Sequence, residues 1–143
     1  MKDIHSKPNQ KGDQPMKYLS GSLAVLLSTM ISVAIAGEIK TFNQKDFDKL
    51  AAEGKPVVLD ISATWCPICK TQKPIIDALL KQPAYKDVTL MTIDFDTERA
   101  TLKKFKVTMQ STLVAFHGPK ELGRSVGDTT PDGIERLINT AVN

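Results

Sequence analysis

The sequence predicts an α/β fold in which a central mixed β-sheet is flanked by helices on both faces. One observation is that short, β-branched apolar segments alternate with segments whose apolar residues recur at helical spacing. A second is that Gly118-Pro119 separates two short apolar segments, which indicates a hairpin of antiparallel strands. Strand–helix–strand units followed by a hairpin and a final helix are typical of a mixed sheet with helices on each side.

The first part of the domain is predicted to contain two helices around one buried strand. Asn43 can cap a helix that ends near Gly54. Residues 57–61, Val-Val-Leu-Asp-Ile, form a short β-branched run that is typical of a buried strand. A second helix is predicted from the Cys66 region to about Leu80, and Pro74 inside it should produce a kink.

The second part is predicted to contain three strands and two helices. Residues 88–94 form a strand, and residues 98–105 form a helix. Residues 113–116 and 122–126 are the two strands of the hairpin. The last helix begins after Thr130, which can act as its N-cap and is followed by a proline at the first helical position.

Residues 1–36 are predicted to be an N-terminal leader that contains a secretory signal peptide. Lys17 precedes an apolar run that closes with Ala34-Ile35-Ala36, so cleavage is expected after Ala36. Translation is expected to start at Met16, because a polar stretch before a signal peptide is unusual. The alternative is an uncleaved membrane anchor, since residues 19–36 approach the roughly 18 apolar residues that a membrane span requires.

Residues 37–143 are then a single domain, and their charge does not indicate a nucleic-acid partner. The whole chain has a formal net charge of +3. Four lysines and two aspartates precede residue 37, so subtracting that excess of 2 leaves the domain at +1. Because the basic excess belongs mainly to the leader, no nucleic-acid binding is expected.

The chain has two cysteines, Cys66 and Cys69, separated by two residues. A disulfide across so short a loop would constrain the unfolded chain little. A zinc site needs about four ligands, and the only histidines, His5 and His117, do not form a second pair. A metal shared between two chains stays open. Cys-x-x-Cys at a strand–helix junction is more typical of a redox dithiol.

The predicted position of the dithiol assigns different roles to its sulfurs. Cys66 at a helix N-terminus should have a lowered thiol pKa and act as the exposed nucleophile, while Pro67 suits the first helical turn. Cys69 should resolve the mixed disulfide. Asp60 would lie beneath both sulfurs and accept a proton from Cys69, unless it is only a structural acid. Trp65 should cover one side of the site.

Residues 65–70, Trp-Cys-Pro-Ile-Cys-Lys, resemble the active site of the thioredoxin family. Asp60 matches the buried acid that the family carries on the preceding strand, and Pro74 matches the proline in its active-site helix. Val126-Gly127 before the capped last helix is similar to the end of the family's domain. The resemblance implies a thioredoxin-like fold for residues 37–143, and the leader points to the family's exported, periplasmic thiol–disulfide proteins.

Two positions depart from the family pattern. Ser111 stands where the family has a cis-proline before Thr112, on the strand that faces the dithiol, and Thr92 occupies the position of a lysine near the buried acid. The Gln110–Ser111 peptide is expected to be trans. The space beside Cys66 would then be more open, and the Ser111 hydroxyl could donate a hydrogen bond to the Cys66 thiolate. Alternatively, serine only fills the position, and substrates pair with the backbone near Gln110.

The expected function is an exported oxidoreductase that exchanges disulfides with protein thiols and disulfides through Cys66 and Cys69. No capping insertion lies between Pro74 and Ser111, which favours a reductase over an oxidase. We expect a monomer with a membrane redox partner, no organic cofactor and no metal, which contacts the membrane only if the leader is retained. The alternative is a periplasmic copper or zinc carrier that uses the same dithiol as soft ligands.

Overall fold

The structure is a computed structural model that describes residues 36–143. Its elements, in chain order, are β1 (Glu38–Thr41), α1 (Gln44–Ala52), β2 (Pro56–Ser62), α2 (Pro67–Leu80), a 3₁₀ turn (Pro83–Tyr85), β3 (Thr89–Asp94), α3 (Arg99–Lys104), β4 (Thr112–His117), β5 (Lys120–Val126) and α4 (Pro131–Val142). The five strands form one sheet in the order β1-β3-β2-β4-β5. The β1–β3 and β2–β3 pairs are parallel, whereas β2–β4 and β4–β5 are antiparallel. The predicted mixed α/β sheet is therefore confirmed.

Local capping explains where the helices begin. The Asn43 side chain accepts hydrogen bonds from two backbone amides in the first turn of α1. The Thr130 side chain accepts one from Gly133, with Pro131 at the first position of α4. These groups satisfy amides that the helix itself leaves unpaired. Pro74 lies inside α2 without ending it.

Two apolar clusters hold helices against opposite faces of the sheet. On one face, α2 and α4 contribute Ile76, Leu80, Ile134 and Ile138 to a cluster of buried residues that includes Val58 of β2. The other face carries a cluster that includes Leu59 of β2 and is rich in aromatic rings, among them Phe47, Phe105 and Phe116. Because neighbouring residues of β2 point to opposite faces, both clusters share this central strand.

The sequence did not predict β1. This four-residue strand forms one edge of the sheet, where Ile39 is the register partner of Leu90 in β3. The segment forms a strand because it pairs with β3, and not because it has an apolar pattern of its own.

Most of the predicted leader lies outside the described residues, which begin at its last residue, Ala36. Between residues 36 and 143, no helix combines the length and the apolar character that crossing a membrane requires.

Candidate active site

The dithiol lies where β2 passes into α2. Cys66 is the N-cap of α2, with extended backbone angles of φ −77° and ψ 112°, and Pro67 occupies the first helical turn. The backbone N–H of Cys69 donates a hydrogen bond of 3.1 Å to Sγ of Cys66. The two cysteines are joined as a disulfide. A helix N-terminus thus directs an amide, and the positive end of the helix dipole, at the first sulfur.

Cys66 is more buried than the sequence predicts. We expected an exposed nucleophile in an open space, but Cys66 is 0% exposed and Cys69 is 8% exposed. Both pack in a small cluster with Ala63, against which Phe95 lies partly buried. The expectation failed because it considered only the helix position and not the packing of these apolar neighbours over the sulfurs. In the disulfide form, an attacking thiolate has to displace part of this cover.

Trp65 connects the dithiol segment to the loop that follows β3. Its side chain is 54% exposed, and its indole Nε1 donates a hydrogen bond of 2.8 Å to Oδ2 of Asp96. This contact holds the ring against the loop after β3, and the expected role of Trp65 as a cover for the site stays a prediction. Asp96 was not among the predicted residues, since it lies 31 positions further along the chain.

Asp60 lies in the middle of the sheet, and its environment alters its ionisation. In β2 it is the register partner of Thr92 in β3 and Leu113 in β4. Burial raises the pKa of its carboxyl group to about 6, against an opposing effect of the positive charge of Lys73 and with a smaller raising effect of Asp77. A carboxyl group with this pKa can both accept and release a proton near neutral pH.

A cavity of about 390 Å³ joins Asp60 to Cys69. Both residues line it, together with Lys73 of α2 and Thr92 of β3. The further polar or charged lining residues are Thr41, Ser62, Thr64, Lys70, Asp94 and Glu98. The cavity provides room for water between the buried carboxyl group and the resolving cysteine, as the predicted proton transfer requires.

Lys73 is one of two lysines of α2, with Lys70, that line this cavity. Its Nζ lies 3.0 Å from Oδ2 and 3.2 Å from Oδ1 of Asp77, one turn later on the helix. The Lys73 side chain is 70% exposed, so solvent weakens its effect. Since Thr92 stands beside Asp60 on β3, this helix lysine is the positive charge that most lowers the pKa of the acid.

The loop before β4 contains Ser111 in a strained conformation. The described residues contain no cis peptide bond, so the Gln110–Ser111 peptide is trans, as expected. Ser111 has φ 54° and is 3% exposed. Its hydroxyl donates a hydrogen bond of 2.6 Å to the carbonyl of Gln110, and the Thr112 hydroxyl donates one of 2.7 Å to Met109. In the disulfide form, the Ser111 hydroxyl is therefore hydrogen-bonded within its own loop, and the expected hydrogen bond to Cys66 is not formed.

The histidine considered as a metal ligand has a structural partner. Nδ1 of His117 lies 2.8 Å from the carbonyl oxygen of Ala141 in α4. Within residues 36–143, no three or more His, Cys, Asp or Glu side chains are grouped so that they could hold a metal ion.

Together, a disulfide at a helix N-terminus, a buried carboxyl group and a mixed five-stranded sheet define a thiol–disulfide exchange protein. Comparison with known proteins agrees. The sequence model of the family described as thioredoxin matches residues 38–140. This chain belongs to the thioredoxin family, and it is a thioredoxin-type thiol–disulfide oxidoreductase with Cys66 and Cys69 as its disulfide.

Individual relatives show the same relationship. Thioredoxin of Chlamydia muridarum is 33% identical over 101 residues, which is 71% of this chain and 96% of that protein. Thioredoxin-2 of Saccharomyces cerevisiae is 33% identical over 105 residues, or 73% and 97% of the two chains. Among solved structures, Trxlp from Edwardsiella tarda superimposes with a TM-score of 0.68 at 36% identity, covering 70% of this chain and 98% of its own.

Proposed function

We propose that this oxidoreductase works outside the cytoplasm, as a reductase of protein disulfides. The observation that carries the reductase part of the proposal is the cavity shared by Asp60 and Cys69, together with the pKa of about 6 for Asp60. The proposed location rests on the sequence of the leader. A reductase needs a base that removes the proton of the resolving thiol at neutral pH. A carboxyl group with this pKa is mostly ionised at pH 7 and can accept that proton.

The reaction proceeds in two displacements. The Cys66 thiolate attacks one sulfur of a substrate disulfide, the substrate S–S bond breaks, and one substrate thiolate leaves. Asp60 then takes the proton of Cys69 through water, and the Cys69 thiolate attacks the sulfur of Cys66. The mixed disulfide breaks, the second substrate thiolate leaves, and the Cys66–Cys69 disulfide forms. The substrate gains two electrons and, after protonation, two thiols.

The connection between α2 and β4 favours reduction of varied protein substrates. Between Leu80 and Thr112 the chain forms only a 3₁₀ turn, β3 and α3. No inserted subdomain in this part of the described chain covers the dithiol. In an oxidising compartment, such a reductase needs a source of electrons, and we propose that a membrane partner supplies them.

The start of the folded domain is compatible with export. Among the described residues, Ala36 is exposed, and the N–H of Gly37 donates a hydrogen bond of 2.8 Å to the carbonyl of Leu80. A protease that cleaves after Ala36 would leave this contact to the mature chain. Cleavage after Ala36 is a proposal that the sequence of the leader supports.

The function is tested with the purified domain from Gly37 onward. We expect catalytic turnover in the reduction of insulin disulfides with a chemical dithiol as electron source, and a reversible two-electron potential. No turnover with a reactive, reversible dithiol would contradict the proposed reductase. Copper or zinc retained at one metal per chain or per two chains would instead support the metal-carrier alternative.

A further inference from the structure

Gln72 is a polar side chain buried at the centre of three segments. It lies on α2, three residues after Cys69, and is 1% exposed. Its side-chain Nε2 donates a hydrogen bond of 2.9 Å to the carbonyl of Asp128 and a longer one of 3.4 Å to the carbonyl of Ser111. One amide group thus connects the active-site helix to the loop before β4 and to the loop before α4.

The Ser111 loop depends on such external contacts. With φ 54°, Ser111 adopts the left-handed conformation, which is unfavourable for a residue with a side chain. A proline at this position would restrict the backbone through its ring. With serine, the backbone at residue 111 is held by hydrogen bonds instead. The Ser111 carbonyl accepts one from the backbone N–H of Gly127 at 2.9 Å in addition to the one from Gln72.

Within residues 36–143, the carbonyl oxygen of the Gln72 side chain has no hydrogen-bond partner. Oε1 of Gln72 is buried, and no hydrogen-bond donor reaches it within the described part of the chain. The orientation of the Gln72 side-chain amide is nevertheless defined. Both neighbouring groups are carbonyl oxygens, which accept hydrogen bonds, so the NH₂ group of the amide must face them. An apolar side chain would avoid an unpaired acceptor, so the arrangement costs stability and maintains the two contacts.

The second contact extends the connection to α4. The Asp128 carboxylate accepts hydrogen bonds from the backbone N–H of Thr130 at 2.8 Å and from its hydroxyl at 2.7 Å. Thr130 is the N-cap of α4. Gln72 is therefore hydrogen-bonded to a loop whose conformation is fixed by the N-cap of α4. This loop anchors the Gln72 side chain while the same side chain binds the carbonyl of Ser111.

We propose that Gln72 is a positioning residue that fixes the Ser111 loop against α2, and so sets the register in which an extended, disulfide-bearing peptide pairs with the backbone at Gln110. This proposal rests on the proposed reductase function. The hydrogen bonds of Gln72 go to backbone carbonyls and not to a sulfur. Losing them should weaken docking of a protein substrate and leave the chemistry of the dithiol unchanged.

The test compares Gln72→Met with Gln82→Met. Methionine keeps nearly the volume of glutamine and removes its hydrogen bonds, and Gln82 is an exposed glutamine just after the same helix. For Gln72→Met we expect KM for insulin to rise about 3- to 10-fold, the factor that corresponds to one lost hydrogen bond. We expect an unchanged kcat, an unchanged reduction potential and an unchanged rate with the small disulfide dithiobis-nitrobenzoate.

A structural measurement keeps the two proposals separate. Amide hydrogen exchange at Gly127, whose N–H bonds to Ser111, should accelerate in Gln72→Met and not in Gln82→Met. Equal exchange in both variants, or a KM equal to that of the wild type, would overturn the role of Gln72. If the wild type does not reduce insulin, the reductase proposal fails, and the exchange result still decides whether Gln72 holds the loop.

If Gln72→Met does not fold, the proposal can still be tested on the wild-type protein. NMR of the wild-type protein should show slowly exchanging side-chain amide protons for Gln72, since both are held in a buried site. Exchange as fast as that of the exposed Gln82 would overturn the proposal.

Discussion

The backbone N–H of Cys69 points at Sγ of Cys66, with a donor–acceptor distance of 3.1 Å. The relationship is not symmetric, because Cys69 lies inside the helix and Cys66 caps it. After reduction, a negative charge on the Cys66 sulfur would face this amide and the positive end of the helix dipole. Cys66 is therefore the sulfur suited to carry the attacking thiolate.

This asymmetry predicts different outcomes for the two cysteine variants. Cys66→Ser should abolish turnover, because it removes the nucleophile. Cys69→Ser should accumulate mixed disulfides with substrate proteins, because the resolving step is lost. Non-reducing gels of both variants would show this difference. Mixed disulfides in Cys66→Ser, with an inactive and unmodified Cys69→Ser, would reverse the assigned roles.

Replacing Asp60 should stabilise the protein at neutral pH. Burial raises the pKa of this carboxyl from 3.8 to about 6. The folded state thus favours the protonated form, so the stabilisation is fully present below pH 3.8 and is lost as the pH rises through about 6. Asp60→Asn removes the penalty of the buried charge, which is on the order of 2–3 kcal/mol at pH 7.

Urea unfolding of the wild type and Asp60→Asn at several pH values measures this effect. The difference in the free energy of unfolding should grow from pH 4 to pH 7 and then level off. Asp87→Asn, at an exposed position, serves as the control for removing a surface carboxylate. A difference that does not depend on pH would contradict the raised pKa. In turnover, Asp60→Asn should slow the resolving step, since the proton acceptor is missing.

Lys73 and Asp77 should shift the pKa of Asp60 in opposite directions. Lys73 lowers this pKa and Asp77 raises it, while the two side chains also pair with each other at 3.0 Å. Lys73→Met should therefore raise the pKa of Asp60, and Asp77→Asn should lower it. Each substitution also frees the remaining partner to act on Asp60, which reinforces the same direction.

An NMR titration of the Asp60 carboxyl carbon would measure both shifts. Lys86→Met, at an exposed position away from the cavity lining, is the matched control for loss of a lysine. Because Lys73 is largely exposed, its effect should decrease at high salt. Shifts of the same sign in Lys73→Met and Asp77→Asn would contradict this arrangement of charges.

Much of the fold followed from local sequence signals, because caps and apolar periodicity act over a few residues. Asn43 and Thr130 marked helix starts, and the β-branched run of β2 marked the central strand. The edge strand β1 was missed because only Ile39 among its four residues is strongly apolar. Its pairing with β3 is a long-range interaction that a local pattern does not contain.

For the candidate site as well, the features that depend on local spacing were predictable, and those that depend on contacts between distant segments were not. The spacing of Asp60, Cys66 and Cys69 placed all three at the junction of β2 and α2, as the structure has them. The burial of Cys66 and the contacts of Gln72 were not predictable, since they arise from packing between distant segments. Gln72 and its partners are separated by 39 and 56 positions in the sequence.

Removing the hydroxyl of Ser111 should leave the redox chemistry unchanged. The hydroxyl donates to the carbonyl of Gln110 within its own loop. Ser111→Ala should therefore keep the wild-type reduction potential and the wild-type pH profile of Cys66 alkylation. Potentials from glutathione redox buffers and alkylation rates from pH 5 to 9 would test this. A change in both quantities would mean that, on reduction, the hydroxyl turns toward the Cys66 thiolate.

A further prediction concerns the N-terminus of the protein in its native envelope. If the leader is removed after Ala36, the protein isolated from its native envelope fraction begins at Gly37. N-terminal sequencing of that material tests the prediction. A chain that retains the leader in a membrane-bound form would contradict cleavage and support the N-terminally anchored alternative.

The surroundings of Gly37 suit a new chain terminus. A Cβ atom at this position would lie 2.8 Å from the carbonyl oxygen of Tyr85 and 2.9 Å from that of Val88, so a larger residue would clash with backbone. The nitrogen of Gly37 bonds to the carbonyl of Leu80, the last residue of α2. Cleavage would convert this amide into an ammonium group at the negative end of the helix dipole, where a positive charge is favourable. Urea unfolding at pH 6 should therefore show the domain beginning with a free Gly37 to be more stable than the same domain with an acetylated Gly37, and equal stability would contradict the favourable terminal charge.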